Sequence, residues 1–371
     1  MTIDPEVAPA GAPAAPLAAG PADLSSVVNL FDFEPLARDR MLGPAFDYVA
    51  GGAWDELTLA ENLAAWREFT FVPRVLRDVR ELDLAGTFLG RSSSLPIAIA
   101  PMAAQAMAHP AAEAEMLAGA AAAGIPFCLS TSSSMTMEEV AKAAPEAARW
   151  FQLYVIRDLE FSRTLVERAE ASGYGAIVLT VDLPVLGFRE RDRRSGFALP
   201  SMPHMDGAGS GEPNRYGALE LQRGAGLTWD SIAEIRSWSP LPLVLKGILS
   251  PADARLAAEA GVAGIIVSNH GGRQLDRSVT SADVLVDIVE AVDHRCEVWA
   301  DGGIRRGLDV ITALALGATG VLVGRPFYWA LAAAGRAGVE HAAAILRGEL
   351  ELALPLLGCT SFAEVGLELL A

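Results

Sequence analysis

The sequence predicts an α/β fold: a barrel of eight parallel strands alternating with helices, preceded by a helical cap and carrying a long loop after the fourth strand. Two observations carry this. Short apolar runs that end on polar or glycine residues recur at Leu95–Ala100, Phe127–Ser130, Trp150–Tyr154, Ala176–Thr180, Leu243–Lys246, Gly264–Ser268, Glu297–Asp301 and Gly320–Val323. Stretches rich in Ala, Leu and Glu lie between them, such as Ala111–Ala123, Leu159–Ser172, Ser250–Ala260 and Leu308–Leu316. Unbroken apolar runs suit strands buried on both faces. Most steps between them are roughly 20 to 35 residues, the length of a strand–helix unit, and eight such units close into a (β/α)8 TIM barrel with its reactive face at the strand C-termini.

Composition permits this size of fold. The chain has 371 residues, 51% of them hydrophobic, enough for one large core with additions. Its 29 basic and 46 acidic residues give a net charge of -17, which argues against nucleic acid, because phosphate-backbone binding rests on clustered Lys and Arg. Cys128, Cys296 and Cys359 show neither disulfide nor metal spacing and read as reduced, mostly buried residues. Residues 92–112 carry no formal charge, but Pro96, Pro101, Gln105, His109 and Pro110 interrupt them, so a strand with its loop fits better than a membrane span. Asp4 and Glu6, with no basic start, do not match a secretory signal, and the expectation is a cytoplasmic protein without a membrane partner.

Along the chain, residues 1–28 are dominated by Ala, Pro and Gly without periodicity and are expected to form a disordered tail. From Leu30 to Arg67 the pattern is helical, through Phe31, Leu36, Met41, Phe46, Tyr48, Leu57, Leu59 and Trp66, with a break at Gly51-Gly52. This predicts a helical cap over 29–85 ahead of a barrel over 86–371. Between Thr180 and Leu243 the extra chain contains Pro200, Pro203, Gly207, Gly209, Gly211 and Pro213, the mark of a long loop over the active face.

A barrel of this kind gathers the polar residues at its strand ends: Ser130, Gln152, Tyr154, Thr180, Asp182, Lys246, Ser268, His270, Arg273, Asp301 and Arg325. His270 and Arg273 lie three residues apart at the end of one apolar strand, with Gly271 and Gly272 to let the backbone turn. Histidine exchanges a proton near neutral pH, and the arginine fork grips a carboxylate. The alternative is a helix-capping His270 and a solvated Arg273. The run Asp301-Gly302-Gly303-Ile304-Arg305-Arg306-Gly307 after the seventh strand and Gly324-Arg325-Pro326 after the eighth form a candidate phosphate site, since barrels bind phosphate there through glycine amides. Two glycine turns with solvated arginines are the competing reading. His109, His204, His294 and His341 show no two-ligand spacing; they read as loop or helix-surface residues, and no metal is expected.

The string SNHGGRQLD at Ser268–Asp276 resembles the signature of the flavin mononucleotide (FMN) dependent 2-hydroxy acid oxidases and dehydrogenases, and companion segments extend the likeness over most of residues 44–360. The resemblance implies FMN as cofactor and oxidation of an (S)-2-hydroxy acid to the 2-oxo acid. It makes His270 the base, Asp182 (in TVD) its carboxylate partner, and Tyr154 (in WFQLY) a donor to the substrate oxygen. Arg273, Tyr48 (in FDYVAGG) and Arg189 (in GFRERD) would hold the substrate carboxylate. Lys246 (in VLKG) would face the flavin pyrimidine ring, with Ser130, Gln152, Thr180 and Ser268 nearby. Pro101, Met102 and Ala103 would lie beside the flavin, and Asp301, Gly303, Arg305, Gly324 and Arg325 along its phosphate-bearing chain. Tyr48 as a packed core aromatic, Lys246 as a snorkelling surface lysine, and simple strand-end caps at Ser130, Gln152 and Thr180 are the structural alternatives.

Two departures from the family pattern matter. Ser132 stands where plant glycolate oxidases carry a tryptophan, which leaves room for a larger or aromatic acid such as mandelate. Met102 stands where a threonine is common, which removes a side-chain contact to the flavin. Oxygen is the expected electron acceptor. A dehydrogenase passing electrons to a quinone or other carrier, a non-oxidising FMN isomerase, and a non-catalytic paralogue are the alternatives. The resemblance also implies a homotetramer.

Overall fold

The computed structural model describes residues 20–205 and 226–371, so the expected disordered tail falls outside the described residues up to position 19, and the loop glycines Gly207, Gly209 and Gly211 with Pro213 fall outside them too. Eight parallel strands close into a barrel: β1 (Ile97–Ile99), β2 (Phe127–Ser130), β3 (Arg149–Leu153), β4 (Ile177–Thr180), β5 (Leu243–Ile248), β6 (Gly264–Val267), β7 (Glu297–Ala300) and β8 (Gly320–Val323), with β8 paired to β1. Each strand is apolar because both of its faces are covered. Alternate residues such as Ile97, Phe127, Leu129, Phe151, Leu179, Leu245 and Val321 pack outward against helices. Those between them, including Ala98, Cys128, Trp150, Val178, Val244, Ile266, Trp299 and Leu322, fill the barrel interior.

Three aromatics plug the N-terminal end of the barrel. Trp150 and Trp299 stack with centroids 5.0 Å apart, and Phe88 meets both edge-on at 5.4 and 5.3 Å. Phe88 arrives on an antiparallel hairpin, Gly86–Phe88 with Arg91–Ser93, which the sequence pattern did not reveal. Its turn uses Leu89 and Gly90, both at positive φ, the geometry that tight hairpins need. A side chain at Gly320 would strike the Phe88 ring at 2.7 Å, so that glycine makes room for the plug. With this end sealed, ligands can enter only at the strand C-termini.

Helices Gly43–Ala50 and Leu57–Ala64 form the predicted helical segment and lie over that open end. Helix Leu57–Ala64 has no cap of its own. Asp276, from the loop after β6, supplies one, accepting the Thr58 N–H at 2.9 Å and the Asp55 N–H at 3.1 Å. Residues 20–28 depart from the expected tail: the Ala22 N–H donates to Ala333 O at 2.8 Å and Val27 is buried, because Leu24 and Val27 find an apolar seat on the core. The long loop after β4 contains a short helix, Glu190–Ser195, which packs against Gly43–Ala50. The last helix, Arg325–Leu357, bends at Ala334 and Gly335 and ends at Gly358. Among the described residues no helix is long and apolar enough to cross a membrane.

Candidate active site

The open end holds a concave cavity lined by both charged and apolar side chains. Of the residues singled out from the sequence, Tyr48, Pro101, Met102, Ala103, Ser130, Tyr154, Thr180, Arg189, Lys246, His270, Arg273, Asp301, Gly303, Arg305, Gly324 and Arg325 all line it. Asp182, Gln152 and Ser268 do not; each lies behind a lining residue and orients it.

Asp182 Oδ1 lies 2.9 Å from His270 Nδ1. The pairing assigns the proton to Nδ1 and leaves Nε2 as an acceptor on the cavity side. Burial drives the His270 pKa down and Lys246 adds to this, outweighing the opposite pull of Asp182, so the ring is neutral at neutral pH. Burial pushes the Asp182 carboxyl up, but His270 and Lys246 more than offset it and hold the group below its ordinary range. The result is a neutral base backed by a carboxylate.

Two local features make this pair possible. His270 adopts φ +59°, followed by Gly271 at +65° and Gly272 at +73°, a left-handed run that costs a non-glycine residue about 1–2 kcal/mol. It is held by the His270 N–H donating to Ser268 Oγ at 3.1 Å and the Gly272 N–H donating to Asn269 Oδ1 at 3.1 Å. At Gly247, φ +111°, an added Cβ would lie 2.5 Å from the Asp182 Cβ, so only glycine lets the β4 and β5 ends approach closely enough.

Lys246 reaches into the centre of the barrel mouth, donating to Ser268 Oγ at 2.8 Å and facing Asp301 Oδ2 at 3.4 Å. Burial lowers its pKa, but Asp301 and Asp182 more than reverse this, so it stays charged. It is 5% exposed, which disposes of the snorkelling alternative. Ser130 Oγ donates to Gln152 Oε1 at 3.0 Å, while Gln152 Nε2 is a buried donor with no hydrogen-bond partner. Asp301 Oδ1 is likewise a buried acceptor without a partner. Orphaned buried polar atoms are costly unless a ligand satisfies them.

The arginines are held by backbone oxygens. Arg273 donates through Nη1 to Tyr48 O at 2.6 Å, Gly51 O at 2.8 Å and Val49 O at 3.3 Å. Burial and Arg189 push its pKa down to about 10. Its guanidinium also meets the Tyr48 side chain, which opposes part of the effect of burial. Arg325 donates to Val49 O at 3.0 Å, Gly271 O at 2.9 Å and Gly51 O at 3.2 Å; burial, then Arg273 and Arg305, lower its pKa strongly. The Arg305 guanidinium donates to the adjacent Ile304 O at 2.9 Å, and burial pushes its pKa down to about 10. Cations crowded in a buried space with so few carboxylates favour an anionic ligand. FMN, with its phosphate, ribityl hydroxyls and pyrimidine carbonyls, fits this donor set: Arg305 and the Gly302–Gly303 turn for the phosphate, Asp301 Oδ1 for a hydroxyl, Gln152 and Lys246 for the ring. Among the described residues no group of three His, Cys, Asp or Glu side chains converges as a metal site.

Tyr48 lies under two guanidiniums, Arg273 at 4.9 Å and Arg189 at 5.7 Å from its ring, and stacks on Phe197 at 4.5 Å. It is thus both packed and cavity-lining. Burial, Asp182 and Tyr48 raise the Tyr154 pKa, which keeps its hydroxyl a donor. Arg189 donates weakly to Arg273 O at 3.3 Å and Gln274 Oε1 at 3.4 Å.

The sequence reading missed Leu183, Leu186, Leu199 and Tyr328 in the lining. The three leucines sit in the loop after β4, and Tyr328 follows Gly324-Arg325; nothing in the sequence separates any of them from core residues. His204 corrects the surface reading. It is fully buried, with Nδ1 3.0 Å from Ser133 Oγ and Nε2 accepting the Met137 N–H at 2.8 Å, and burial pushes its pKa down to about 4. An isolated histidine in a proline-flanked loop carries no periodicity from which burial could be read.

Known proteins share this arrangement of chain. The profile of the family described as FMN-dependent dehydrogenase matches residues 37–371. L-lactate oxidase of Nostoc sp. is 46% identical over 355 residues, 92% of this chain and 97% of that protein. 4-Hydroxymandelate oxidase of Amycolatopsis orientalis is 45% identical over 342 residues, 90% and 95% of the two chains. A solved structure of mandelate oxidase with (S)-4-hydroxymandelic acid superposes with a TM-score of 0.86 at 43% identity, covering 93% of this chain and 98% of the other.

Proposed function

This chain belongs to the FMN-dependent dehydrogenase family and is an FMN-dependent oxidoreductase acting on 2-hydroxy acids, and we propose that it oxidises an (S)-2-hydroxy acid with a large or aromatic side chain, mandelate-like, with oxygen as acceptor. The observation that carries the site assignment is the neutral His270, its Nδ1 bound to Asp182, lining a cavity that Arg273 also lines. When bound, FMN supplies the acceptor for two electrons.

In this reading Arg273 presents its guanidinium to the substrate carboxylate, and the Tyr48 hydroxyl and Arg189 complete that end of the pocket. Tyr154, kept protonated by its surroundings, donates to the substrate oxygen. His270 Nε2 takes the proton released as the hydroxyl-bearing carbon becomes a carbonyl, and Asp182 stabilises the imidazolium so formed. Lys246 holds a fixed positive charge beside the flavin ring, and Arg305 and the Gly302–Gly303 turn hold the phosphate.

The size of the acid is argued from the lining. Ser132 contributes a small side chain, while Leu183, Leu186 and Leu199 from the loop after β4 add an apolar wall to the lining. The relatives named for lactate and for 4-hydroxymandelate are almost equally similar, so overall identity does not choose between small and aromatic acids. The wall favours the aromatic. The test is the visible spectrum of the purified protein during anaerobic titration with a panel of 2-hydroxy acids, then peroxide release in air. Bleaching by (S)-mandelate well ahead of glycolate, with peroxide formed on reoxidation, supports the proposal. Preference for glycolate by a wide margin refutes the substrate class, and reduction of a dye without peroxide refutes oxygen as acceptor. The homotetramer implied by resemblance is part of this reading, and light scattering on the purified protein tests it.

A further inference from the structure

Glu113 is wholly buried although it sits in the first turn of helix Ala112–Ala123, where an acidic residue ordinarily faces solvent and complements the helix dipole. Its Oε1 accepts two backbone N–H groups from two different loops, Gln105 at 3.1 Å and Ser134 at 2.8 Å. Its Oε2 has no partner. Burial raises its pKa, against the pull of these donors.

The two loops it joins form one wall of the active cavity. The loop after β1 contributes Pro101, Met102 and Ala103, and the loop after β2 follows Ser130 with Ser132. They are stitched at two further points, the Ala104 N–H donating to Ser132 O at 2.9 Å and the Ala106 N–H to Ser134 Oγ at 2.9 Å, and Tyr328 Oη on the last helix anchors the first loop by donating to Ala104 O at 2.8 Å. Ala104 is in the left-handed region at φ +51°, so the first loop is held in a turn it would not adopt unsupported. Glu113 is the only side chain bonded to both loops among the described residues that surround this seam.

We propose that Glu113 is a positioning residue for the flavin and substrate: by accepting from Gln105 and Ser134 through one oxygen, it sets the spacing between the Pro101–Ala103 and Ser130–Ser132 walls. A buried oxygen shared by two backbone amides ties both loops to one point. This rests on the assignment of those walls to the flavin side of the cavity.

The test compares Glu113→Ala and Glu113→Gln with the wild-type holoenzyme by three readouts: FMN dissociation constant from flavin fluorescence, visible-region circular dichroism of the bound flavin, and anaerobic flavin reduction at saturating (S)-mandelate. Glutamine keeps a carbonyl oxygen for both amides and should stay within about threefold of wild type in all three, because the acceptor geometry is retained. Alanine should change the visible dichroism, weaken FMN roughly tenfold and slow reduction tenfold or more, as displacements of an ångström do in catalytic sites. A lowered melting temperature with all three flavin readouts unchanged makes Glu113 a fold stabiliser and overturns the proposal. So does a glutamine variant as impaired as alanine. If the alanine variant is insoluble, Glu113→Asp decides: it keeps a carboxylate but draws the acceptor back from both amides by one methylene, and unchanged flavin dichroism and reduction would overturn the proposal. A wild-type protein that fails to bind FMN would instead refute the cofactor assignment itself, a result distinct from all of these.

Discussion

Replacing Asp182 with asparagine should leave a folded, flavin-loaded protein that hydroxy acids reduce about 10²- to 10⁴-fold more slowly. Asparagine has the shape of aspartate, so it keeps the close approach of residue 182 to Gly247. Its carbonyl oxygen can still accept from His270 Nδ1, now 2.9 Å from the carboxylate, so the orientation of the ring survives. The charge does not. Once His270 takes a proton, an imidazolium sits in a buried site where Lys246 and Arg189 already repel it. Removing the carboxylate of such a buried pair costs about 3–5 kcal/mol, and at 1.36 kcal/mol per decade that is two to four decades in rate. The assay is anaerobic stopped-flow loss of the flavin's visible absorbance at saturating acid, with FMN content measured on the same sample. A fully loaded variant reduced within tenfold of wild type would refute the role of the pair. The pH profile gives a second check. His270 already lies below its usual 6.5, so the acid limb of kcat/KM falls below that pH, and loss of Asp182, the group that raises it, should move the limb lower still.

Other perturbations follow from the same geometry. Gly303→Ala would place a Cβ 1.7 Å from Asn62 O at φ +88°, adding about 1–2 kcal/mol of left-handed strain to a forced shift of the phosphate turn; FMN should bind at least about tenfold more weakly, and an unchanged dissociation constant by fluorescence titration would remove that turn from the phosphate site. Ser132→Trp should cut kcat/KM for (S)-mandelate by more than about tenfold relative to glycolate by filling the pocket; an unchanged ratio in steady-state assays would show that the substrate side chain lies elsewhere. His204 should titrate near pH 4 in proton NMR, and a midpoint near 6.5 would contradict its burial. Because its folded pKa lies below the unfolded value, the unfolded chain takes up the proton first: the contribution to stability is complete above pH 6.5 and is lost toward pH 4, a total of about 3 kcal/mol.

The barrel was legible because its signal is repetitive. Phe127–Ser130 and Gly320–Val323 were bounded to the residue, and the other strands to within two residues at most ends, since apolar runs between polar stops leave few alternatives. The hairpin that carries Phe88 was not legible: three-residue strands such as Arg91–Ser93 are too short for alternation to register. At the site, residues with distinctive chemistry at strand ends were legible, and His270, Lys246 and Asp301 converge as their positions imply. Leucines were not, because Leu183 and Leu199 look the same in sequence whether they face a ligand or a core. Nor were the groups that hold others in place. Asp276 as the cap of a helix more than two hundred residues away, and Glu113 across two loops, depend on contacts that no local pattern encodes.

The cap explains how a cavity can keep so many cations available. Arg273 and Arg325 both end on the carbonyls of Val49 and Gly51, and Arg273 also on that of Tyr48. These oxygens belong to the last turn of helix Gly43–Ala50 and the residue after it, where carbonyls lack intrahelical partners and the helix dipole is negative. Carboxylates in the same places would orient the arginines equally well, but they would neutralise them and leave nothing to attract a phosphate or a substrate carboxylate. Helix-end carbonyls orient without neutralising. Asn62 and Asn269 then lock the cap to the loop that carries His270 through a reciprocal amide pair at 2.9 and 2.7 Å, and Trp66 Nε1 donates to Gly302 O at 2.7 Å in the proposed phosphate turn. The segment before the barrel is therefore one side of the cavity, and the positive field that favours an anionic ligand there depends on it.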